Sequence, residues 1–334
     1  MRSSTEYTDR ADGQEALPVA LARLTDRVMA DNPIATVQQG MYHFEYRAYP
    51  ELALREALLN ALCHADYQRG APIVVKQHAD RLEIGNPGGL VGDITPETIL
   101  HHPPLPRNPL LVNALVRLRL VNRSNLGMSR MFKAFLLEGK PPPLIEERGE
   151  SVTVTFLRHE FSEAFRRFAA EESDAGRDLD VDHLLVLVHL LSHPEIDTLA
   201  AARLCQRGEA LARETLNDME AGRGYLERGG AGGRGSYWTL RPDLHRRLGG
   251  SGDPDRQRRI GWEAAKTRVL SLLQERAARG EAGLTNADLR RISRLDRSQV
   301  VRLMAELRGA HPGVGATGKG RGARHHWAGT GTRK

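Results

Sequence analysis

A helix-like stretch at residues 55–67, followed by a strand that ends in a glycine turn at residues 83–90, constrains this chain more than any other feature. On an α-helix, residues four apart lie on one face, so Glu56 and Asn60 point to the same side, with His64 one turn further along. A carboxamide oxygen can bind a hard cation such as Mg²⁺, and a carboxylate can align a water molecule and accept its proton. The spacing therefore indicates metal and water chemistry on one face of this helix.

The apolar residues around this pair predict how it is held in place. An apolar stripe that packs the helix down consists of Leu54, Leu58, Leu59 and Leu62. Residues 73–75, and then Leu82 with Ile84, predict two buried strands joined by a tight turn at residues 79–81. A Glu and an Asn one turn apart occur by chance on many solvated helices. The order helix, strand, turn, strand and glycine turn is a far more specific signal.

The chain resembles the Bergerat-fold (GHKL) ATPases, which include gyrase B, MutL and sensor histidine kinases. It is most similar to the branch called RecG-like C-terminal or ATP-binding domain 4, which is often found behind a Schlafen-type AlbA domain. The matching blocks are Tyr49-Pro50 and residues 55–67, 83–90, 106–111 and 127–131, in that order. The resemblance covers residues 41–157.

The resemblance implies ATP and Mg²⁺ as ligands. By this resemblance, Asn60 holds the magnesium ion against the nucleotide phosphates, and Glu56 is the candidate general base for hydrolysis. Asn86 lies where many relatives have an Asp that accepts a hydrogen bond from the adenine amino group, and its side-chain oxygen can accept the same bond more weakly. Gly88 and Gly89 would let the backbone approach the nucleotide without a Cβ in the way.

The second glycine loop of the resemblance departs from the pattern of the branch. This chain has Asn125, Leu126 and Gly127 where relatives tend to have Gly-Thr-Gly. Leu126 is a bulky side chain where relatives have a small hydroxyl residue beside the triphosphate. We therefore expect nucleotide binding rather than nucleotide hydrolysis. Arg107 and Arg130 are candidate phosphate or lid contacts, with an ordinary surface arginine as the alternative for both; Arg130 lies near a helix start whose amides could hold an anion.

Composition predicts a cytoplasmic protein of two or three domains. The chain has 334 residues, 40% of them hydrophobic. It contains no apolar run of the length that spans a membrane, and its first 15 residues are polar, so no membrane association is expected. The two cysteines, Cys63 and Cys205, lie in different predicted domains and favour neither a disulfide nor a zinc site. We expect both to be small buried hydrophobic residues.

Basic charge is concentrated in the second half of the chain. Residues 1–160 carry 18 Lys and Arg against 19 Asp and Glu, whereas residues 161–334 carry 30 against 23. Residues 256–334 alone carry 18 against 6. Such an excess is typical of nucleic-acid binders, with a solvated basic surface as the alternative.

The second half also contains one pattern twice. The first copy has predicted helices at residues 182–191, 199–205 and 209–220, a glycine-rich segment at 229–235 and a strand at 236–240. The second copy has helices at residues 264–276, 286–293 and 297–307, followed by a glycine- and arginine-rich segment at 318–324. Three helices followed by such a hairpin are typical of a winged helix, whose third helix enters the major groove and whose wing contacts phosphate.

Double-stranded DNA is therefore the predicted partner of these copies. The candidate DNA-binding residues are Arg294, Arg297, Ser298, Gln299, Arg302, Lys319, Arg321 and Arg324 in the second copy, and Arg234 in the first. The third helix of the first copy is more acidic, with Glu209 and Glu214. We expect the second copy to bind DNA more strongly, and a protein-binding role stays open for the first.

The sequence thus predicts an α+β protein, in which a Bergerat-type α/β sandwich precedes two winged helix-turn-helix domains. The predicted segments are a partly disordered lead-in at 1–40, an ATP-binding domain at 41–160, a linker at 160–180 and winged helices at 181–245 and 256–328. The predicted function is an ATP-responsive, DNA-binding transcriptional regulator, with a second copy or an AlbA-type protein as its candidate protein partner. A DNA-stimulated magnesium ATPase of weak activity and a nucleotide-free scaffold are the alternatives.

Overall fold

A four-stranded antiparallel sheet organises the first of the two units into which the chain divides, residues 1–184 and 185–334. We analysed a computed structural model that describes residues 9–39, 42–121, 127–160, 162–229, 236–249, 254–293, 295, 297–318 and 323–328. The strands of the sheet are β3 (Val74–Gln77), β4 (Arg81–Pro87), β5 (Leu144–Glu147) and β6 (Ser151–Leu157), in the order β3-β4-β6-β5.

Helices and a separate hairpin make up the rest of the described part of this unit. The helices of the first unit are α1 (Leu17–Ala30), α2 (Glu51–His64), α3 (Pro109–Arg117), α4 (Gly127–Leu136) and α5 (Glu163–Asp174). Strands β1 (Ile34–Gln39) and β2 (Tyr42–Arg47) pair as a separate antiparallel hairpin. This hairpin, which the sequence did not predict, crosses residue 41, where the ATP-binding domain was expected to begin.

Alternation along the central strands explains why one face of the sheet is buried. Leu82 and Ile84 on β4, and Phe156 on β6, point to the side where α2 and α4 pack. The ring of Phe135 on α4 lies 4.8 Å from that of Phe156. The predicted burial of β4 is confirmed, whereas that of the preceding strand is wrong because β3 is an edge strand whose Val74 is 40% exposed.

A buried lysine links the segment after α4 to the end of β2. The side chain of Lys140 is 1% exposed, and its ammonium donates to the carbonyl oxygens of Arg47 (2.8 Å) and Ala48 (3.1 Å). It also lies 2.6 Å from a carboxylate oxygen of Glu138. The two carbonyl oxygens accept hydrogen bonds from the buried ammonium, and the nearby carboxylate of Glu138 balances its charge.

The prediction of a linker at residues 160–180 is wrong. Helix α5 occupies residues 163–174, and its first turn is capped by Ser162, whose hydroxyl accepts a hydrogen bond from the amide of Phe165. Phe165 and Phe168 are buried with their rings 6.4 Å apart. Most charged residues of α5 lie on its outer face, and the buried Glu172 is paired with Arg177.

The second unit contains the same order of elements twice. The first repeat, residues 181–240, consists of α6 (Val181–Ser192), β7 (Ile196–Asp197), α7 (Thr198–Leu204), α8 (Glu209–Asn217), β8 (Leu226–Gly229) and β9 (Tyr237–Leu240). After α9 (Pro242–Arg247), the second repeat, residues 254–327, consists of α10 (Pro254–Ala278), β10 (Leu284–Thr285), α11 (Asn286–Ser293), α12 (Arg297–Ala310), β11 (Val314–Thr317) and β12 (Arg324–Trp327). The sheets have equivalent orders, β7-β9-β8 and β10-β12-β11.

The internal duplication read from the sequence is visible in these elements, with corrected boundaries. Helix α10 begins ten residues before its predicted start at 264, and α8 gives way at Asp218 to a single π-helical turn that ends at Gly222. The two-residue strands β7 and β10 have no recognisable sequence pattern and were not predicted. Within the described residues, none of the helices combines the length and the apolar character needed to cross a membrane.

One arginine connects the two repeats. The guanidinium of Arg268 on α10 donates to a carboxylate oxygen of Glu195 at 2.9 Å, and its Cζ lies 3.9 Å above the ring centre of Tyr237. It also donates to the carbonyl oxygen of Ile292 at 2.8 Å, within its own repeat. The side chains of Arg268 and Glu195 are 17% and 19% exposed, so this ion pair is largely shielded from water.

Candidate functional site

Helix α2 presents the predicted pair Glu56 and Asn60 on one row with His64. Eight apolar or small residues of this helix are buried against the sheet and α4, while all three members of the row are half-buried. Successive members of the row are four residues apart, so the row is about 12 Å long. Burial lowers the pKa of the His64 imidazole, and the charge of Arg107 lowers it further.

The N-terminus of α4 lies at the Glu56 end of this row. A Cβ placed on Gly127, the first residue of α4, would be 2.8 Å from the Oε2 atom of Glu56, so the start of α4 closely approaches this carboxylate. Burial raises the pKa of the Glu56 carboxyl group, and the charges of Arg130 and Arg55 oppose that rise. A carboxyl group with a raised pKa at a helix N-terminus is well suited to exchange a proton with water.

The glycine turn lies at the His64 end of the row. Gly88 has a φ of +90°, and a Cβ there would be 2.9 Å from the Cβ of Asp66. The amide of Gly88 donates to the carbonyl oxygen of Glu150, and the amide of Asp66 donates to that of Pro87, both at 2.8 Å. Glycine is therefore required here by its conformation and by the close approach of the α2 terminus.

Asn86, the predicted adenine contact, lies at the end of β4 and is 8% exposed. Its Nδ2 donates to the carbonyl oxygen of Pro87 at 3.1 Å, and no described residue is recorded as donating to its Oδ1. This orientation keeps an acceptor oxygen at the base of the glycine turn, which is the atom that the predicted role requires.

Arg107 is engaged differently from the sequence-based prediction of a phosphate or lid contact. Its Nε donates to the carbonyl oxygen of His64 at 3.0 Å, and one Nη donates to that of Gly89 at 2.6 Å. Its neighbour Asn108, which sequence reasoning missed, donates to the carbonyl oxygens of Cys63 and Ala65. Both side chains thus bind backbone at the end of α2. The only sequence signal was their position immediately before Pro109, at a helix start.

A cavity of about 570 Å³ lies on the opposite face of the sheet from α2. Its strand residues Val74, Gly85 and Thr153 are cross-strand neighbours in one row, and they alternate with the buried positions of the strands. Arg69 and Glu150, which form an ion pair, line one wall. This cavity is separate from the row of Glu56, Asn60 and His64 and was not predicted.

The predicted DNA-binding residues are only partly described. Arg234, Arg294, Lys319 and Arg321 lie outside the described residues, and Arg297 and Ser298 are described only as backbone in the first turn of α12. Gln299 is exposed on the same helix. Arg302 has a side chain that is 76% exposed, although its Nε lies 3.0 Å from a carboxylate oxygen of Glu306 and its Cζ lies 5.2 Å from the ring centre of Trp262. Arg324 is exposed on β12 and donates to the carbonyl oxygen of Gly283.

Both cysteines are buried free thiols, as expected, and burial raises the pKa of Cys63 to about 11. The described residues contain no group of three or more His, Cys, Asp or Glu side chains placed to hold a metal ion. A cation bound at Asn60 would therefore take its other ligands from a phosphate group and from water, as Mg²⁺ commonly does.

Comparison with known proteins supports the ATPase-like part of this description. Residues 70–156 match the family model described as "Putative ATP-dependent DNA helicase recG C-terminal". The match indicates an ATPase-like domain of the RecG type that includes the sheet and the glycine turn, and it begins after Glu56 and Asn60. No curated protein matches the chain.

A solved structure shares the fold. The crystal structure of the DIP2311 protein from Corynebacterium diphtheriae is similar with a TM-score of 0.69 and 24% sequence identity, over 94% of this chain and 54% of that chain. The chain therefore spans about half the length of that protein. At this identity the likeness shows the fold alone.

Proposed function

We propose that the first unit binds ATP with Mg²⁺ and that the second unit binds double-stranded DNA, so that the protein regulates transcription in response to nucleotide. One observation carries the first half of this proposal. The row of Glu56, Asn60 and His64 runs from the N-terminus of α4 to the glycine turn, next to a sheet that matches an ATPase-like family.

The residues of the row fit a magnesium nucleotide. Bound magnesium would neutralise phosphate charge, with the Asn60 carboxamide oxygen as its protein ligand. The Oδ1 atom of Asn86 accepts a hydrogen bond from the amino group of the base, beside the turn at the left-handed Gly88. The amides at the start of α4 and the guanidinium of Arg130 favour a phosphate group at the Glu56 end.

Thermal unfolding tests nucleotide binding directly. Ligand present at 100 times its dissociation constant stabilises a protein by about 2.7 kcal/mol, so Mg-ATP should raise the Tm clearly. Asn60→Ala should abolish the rise, whereas Asn217→Ala, which removes an exposed asparagine from α8, should retain it. If millimolar Mg-ATP leaves the Tm of the wild-type protein unchanged, a nucleotide-free scaffold is the better description.

A weak ATPase is the second candidate, and the raised pKa of Glu56 favours it. In that reaction the carboxylate of Glu56 holds a water molecule and takes its proton at Oε2 as the water oxygen attacks the γ-phosphorus. The bond from the γ-phosphorus to the bridging oxygen breaks, and ADP leaves with that oxygen. Glu56→Gln should eliminate phosphate release while the nucleotide-dependent rise in Tm persists. Equal phosphate release by the wild-type protein and this variant would assign the activity to something other than Glu56.

The proposal for DNA is supported by the second repeat. The order of its elements is that of a winged helix, α12 presents the exposed Arg302 and Arg308, and β12 presents Arg324. Replacing Lys319, Arg321 and Arg324 together should weaken binding to all sequences and reduce the salt dependence, by about one logarithmic unit of slope per lost phosphate contact. If fluorescence anisotropy shows an unchanged DNA affinity, the hairpin β11-β12 does not contribute to DNA binding.

The link between the two ligands is a population shift. ATP can regulate DNA binding only if it binds the DNA-competent arrangement more tightly than the other arrangement. The same coupling requires DNA to tighten ATP binding by an equal factor, which isothermal titration with and without DNA measures. Equal ATP affinity in both titrations would leave two independent binding activities in one chain.

A further inference from the structure

The side chain of Arg107 joins three separate parts of the candidate nucleotide site. Its Nε reaches the carbonyl oxygen of His64 at the end of α2, and its Nη2 reaches the carbonyl oxygen of Gly89 in the glycine turn. Arg107 is itself the last residue before Asn108 and α3, so the bond to Gly89 closes the base of the loop at residues 89–107. The guanidinium therefore links α2 to the glycine turn through side-chain bonds, beside the main-chain bond from the amide of Asp66 to the carbonyl oxygen of Pro87.

The end of α2 explains why a cation lies there. The last carbonyl oxygens of a helix have no partner within the helix, and they carry the negative end of its dipole. Asn108 satisfies those of Cys63 and Ala65 at 3.0 and 2.8 Å, and Arg107 satisfies that of His64 between them. The pair acts as a cap supplied by a distant segment of the chain.

The glycine turn is fitted to this guanidinium. A Cβ on Gly88 would lie 3.1 Å from the Cζ and Nε atoms of Arg107, which is tighter than nearly all contacts of real Cβ atoms. Arg107 is half-buried, and two of its nitrogen atoms are committed to carbonyl oxygens by the fork geometry of the guanidinium. These two bonds use two of the five N–H donors of the guanidinium, and both acceptors are main-chain oxygens that hold the glycine turn against the end of α2.

We propose that Arg107 is a positioning residue of the nucleotide site, which fixes the glycine turn against α2, and that it is not a phosphate ligand. The inference rests on the proposed nucleotide binding and refines it. A residue that sets the shape of the turn supports the purine end of the ligand, whereas a phosphate ligand supports only the phosphate end. The two roles therefore differ in their effect on adenosine, which has no phosphate.

Titration calorimetry with adenosine and with Mg-ATP separates these roles. Arg107→Lys keeps the charge but loses the fork, so it should weaken both ligands by the same factor, at least about tenfold, which corresponds to about 1.4 kcal/mol. Arg117→Lys, which makes the same replacement at an exposed position at the end of α3, should leave both affinities unchanged. Asn108→Ala should reproduce the joint weakening with a smaller factor.

The other outcomes overturn the inference in distinguishable ways. A loss of affinity confined to Mg-ATP would make Arg107 a phosphate ligand, and wild-type affinity of Arg107→Lys for both compounds would show that the fork is not needed. If Arg107→Lys fails to give a cooperative thermal transition, the Asn108→Ala titration decides between the same outcomes. A wild-type protein that binds neither compound would overturn the proposed nucleotide binding itself, and the positioning role with it.

Discussion

The two repeats of the second unit share an order of elements but present different third helices. In the first repeat, α8 exposes Glu209, Leu211 and Glu214. In the second, α12 exposes Arg302 and Arg308. The buried faces of both helices are apolar, because each packs against its own core. The comparison shows that the repeated pattern consists of the apolar positions that the core requires. The exposed residues differ between the two copies, so each copy can bind a different partner.

The strand that closes each repeat differs in the same way. In the first repeat, Trp238 on β9 is fully buried, and its Nε1 donates to Glu220 at 2.8 Å while the Cζ of Arg228 lies 4.9 Å from its ring centre. In the second repeat, Trp327 on β12 is only half-buried. The tryptophan of the first hairpin is thus part of the core, whereas the tryptophan of the second hairpin is partly exposed to solvent.

Replacing the two tryptophans tests this difference with the largest expected effect. Trp238→Ala should lower the free energy of unfolding by about 3–5 kcal/mol, because it removes a large buried ring and strands the Glu220 carboxylate. Trp327→Ala should cost clearly less, since part of that ring is already in water. Chemical denaturation of both variants measures the difference, and equal losses would break the comparison.

The ion pair between the repeats gives the next largest effect. Arg268→Ala should destabilise the second unit by about 2–3 kcal/mol, because it removes a charge-assisted bond and leaves Glu195 with an unmatched, mostly shielded charge. Because the pair connects the two repeats, calorimetry of the wild-type protein should show them unfolding in one transition.

A double-mutant cycle isolates this pair. Glu195→Ala should cost little more when Arg268 is already absent, so the double variant should lose less stability than the sum of the two single losses. Two separate transitions for the two repeats in the wild-type protein, or additive effects of the two replacements, would show that each repeat folds by itself.

DNA affinity should distinguish the two third helices by a smaller amount. Arg302→Ala should weaken DNA binding about fivefold, on the order of 1 kcal/mol, whereas Arg213→Ala on α8 should have no measurable effect. Fluorescence anisotropy at two salt concentrations measures both. A comparable loss for Arg213→Ala would mean that the acidic surroundings of α8 do not exclude it from DNA.

Acid stability should give the smallest effects, in different pH ranges for the two repeats. In the first repeat, burial lowers the pKa of His189 from 6.5 to about 4, with a contribution from the nearby His193. The fold favours the neutral ring, so its contribution is fully present above pH 6.5 and is lost as the pH falls toward 4. His189→Gln should remove this part of the pH dependence of the Tm.

In the second repeat, hydrogen bonds from Lys266 and Trp262 lower the pKa of Glu306 from 4.5 to about 2, with a further bond from Arg302. The fold favours the ionised carboxylate, so its contribution is present above pH 4.5 and is lost as the pH falls toward 2. Glu306→Gln should reduce the pH dependence of the Tm in this range and leave that dependence unchanged from pH 6.5 to 4. A change in the higher range would show that the two groups are linked.

Sequence reasoning recovered those elements whose cause lies in the local pattern. Helix α11 was predicted with its observed bounds, and α2, β4 and the glycine turn follow from periodicity and from glycine. Helix α5 was mistaken for a linker because its charges were counted before the spacing of Phe165 and Phe168, three residues apart on one face.

The site was predictable to the extent that its residues share one helix. Glu56 and Asn60 lie together because a helical turn requires it. The role of Arg107 was not predictable, because its two acceptors are carbonyl oxygens contributed by segments 18 and 43 residues away. Main-chain oxygens occur at every position and leave no trace in the amino-acid pattern, so bonds to them emerge only from the three-dimensional fold.

The buried Lys140 has a practical consequence for anyone who wishes to express the ATPase-like domain alone. Its ammonium is matched by the main chain at Arg47 and Ala48, and the adjacent Tyr49 is bound in turn through both its amide and its carbonyl by the side chain of Asn32. A fragment trimmed to the family match at residues 70–156 would keep the cation and Glu138 but discard both main-chain acceptors. Fragments that start upstream of α1 retain them, and those are the ones from which a folded product should be recovered.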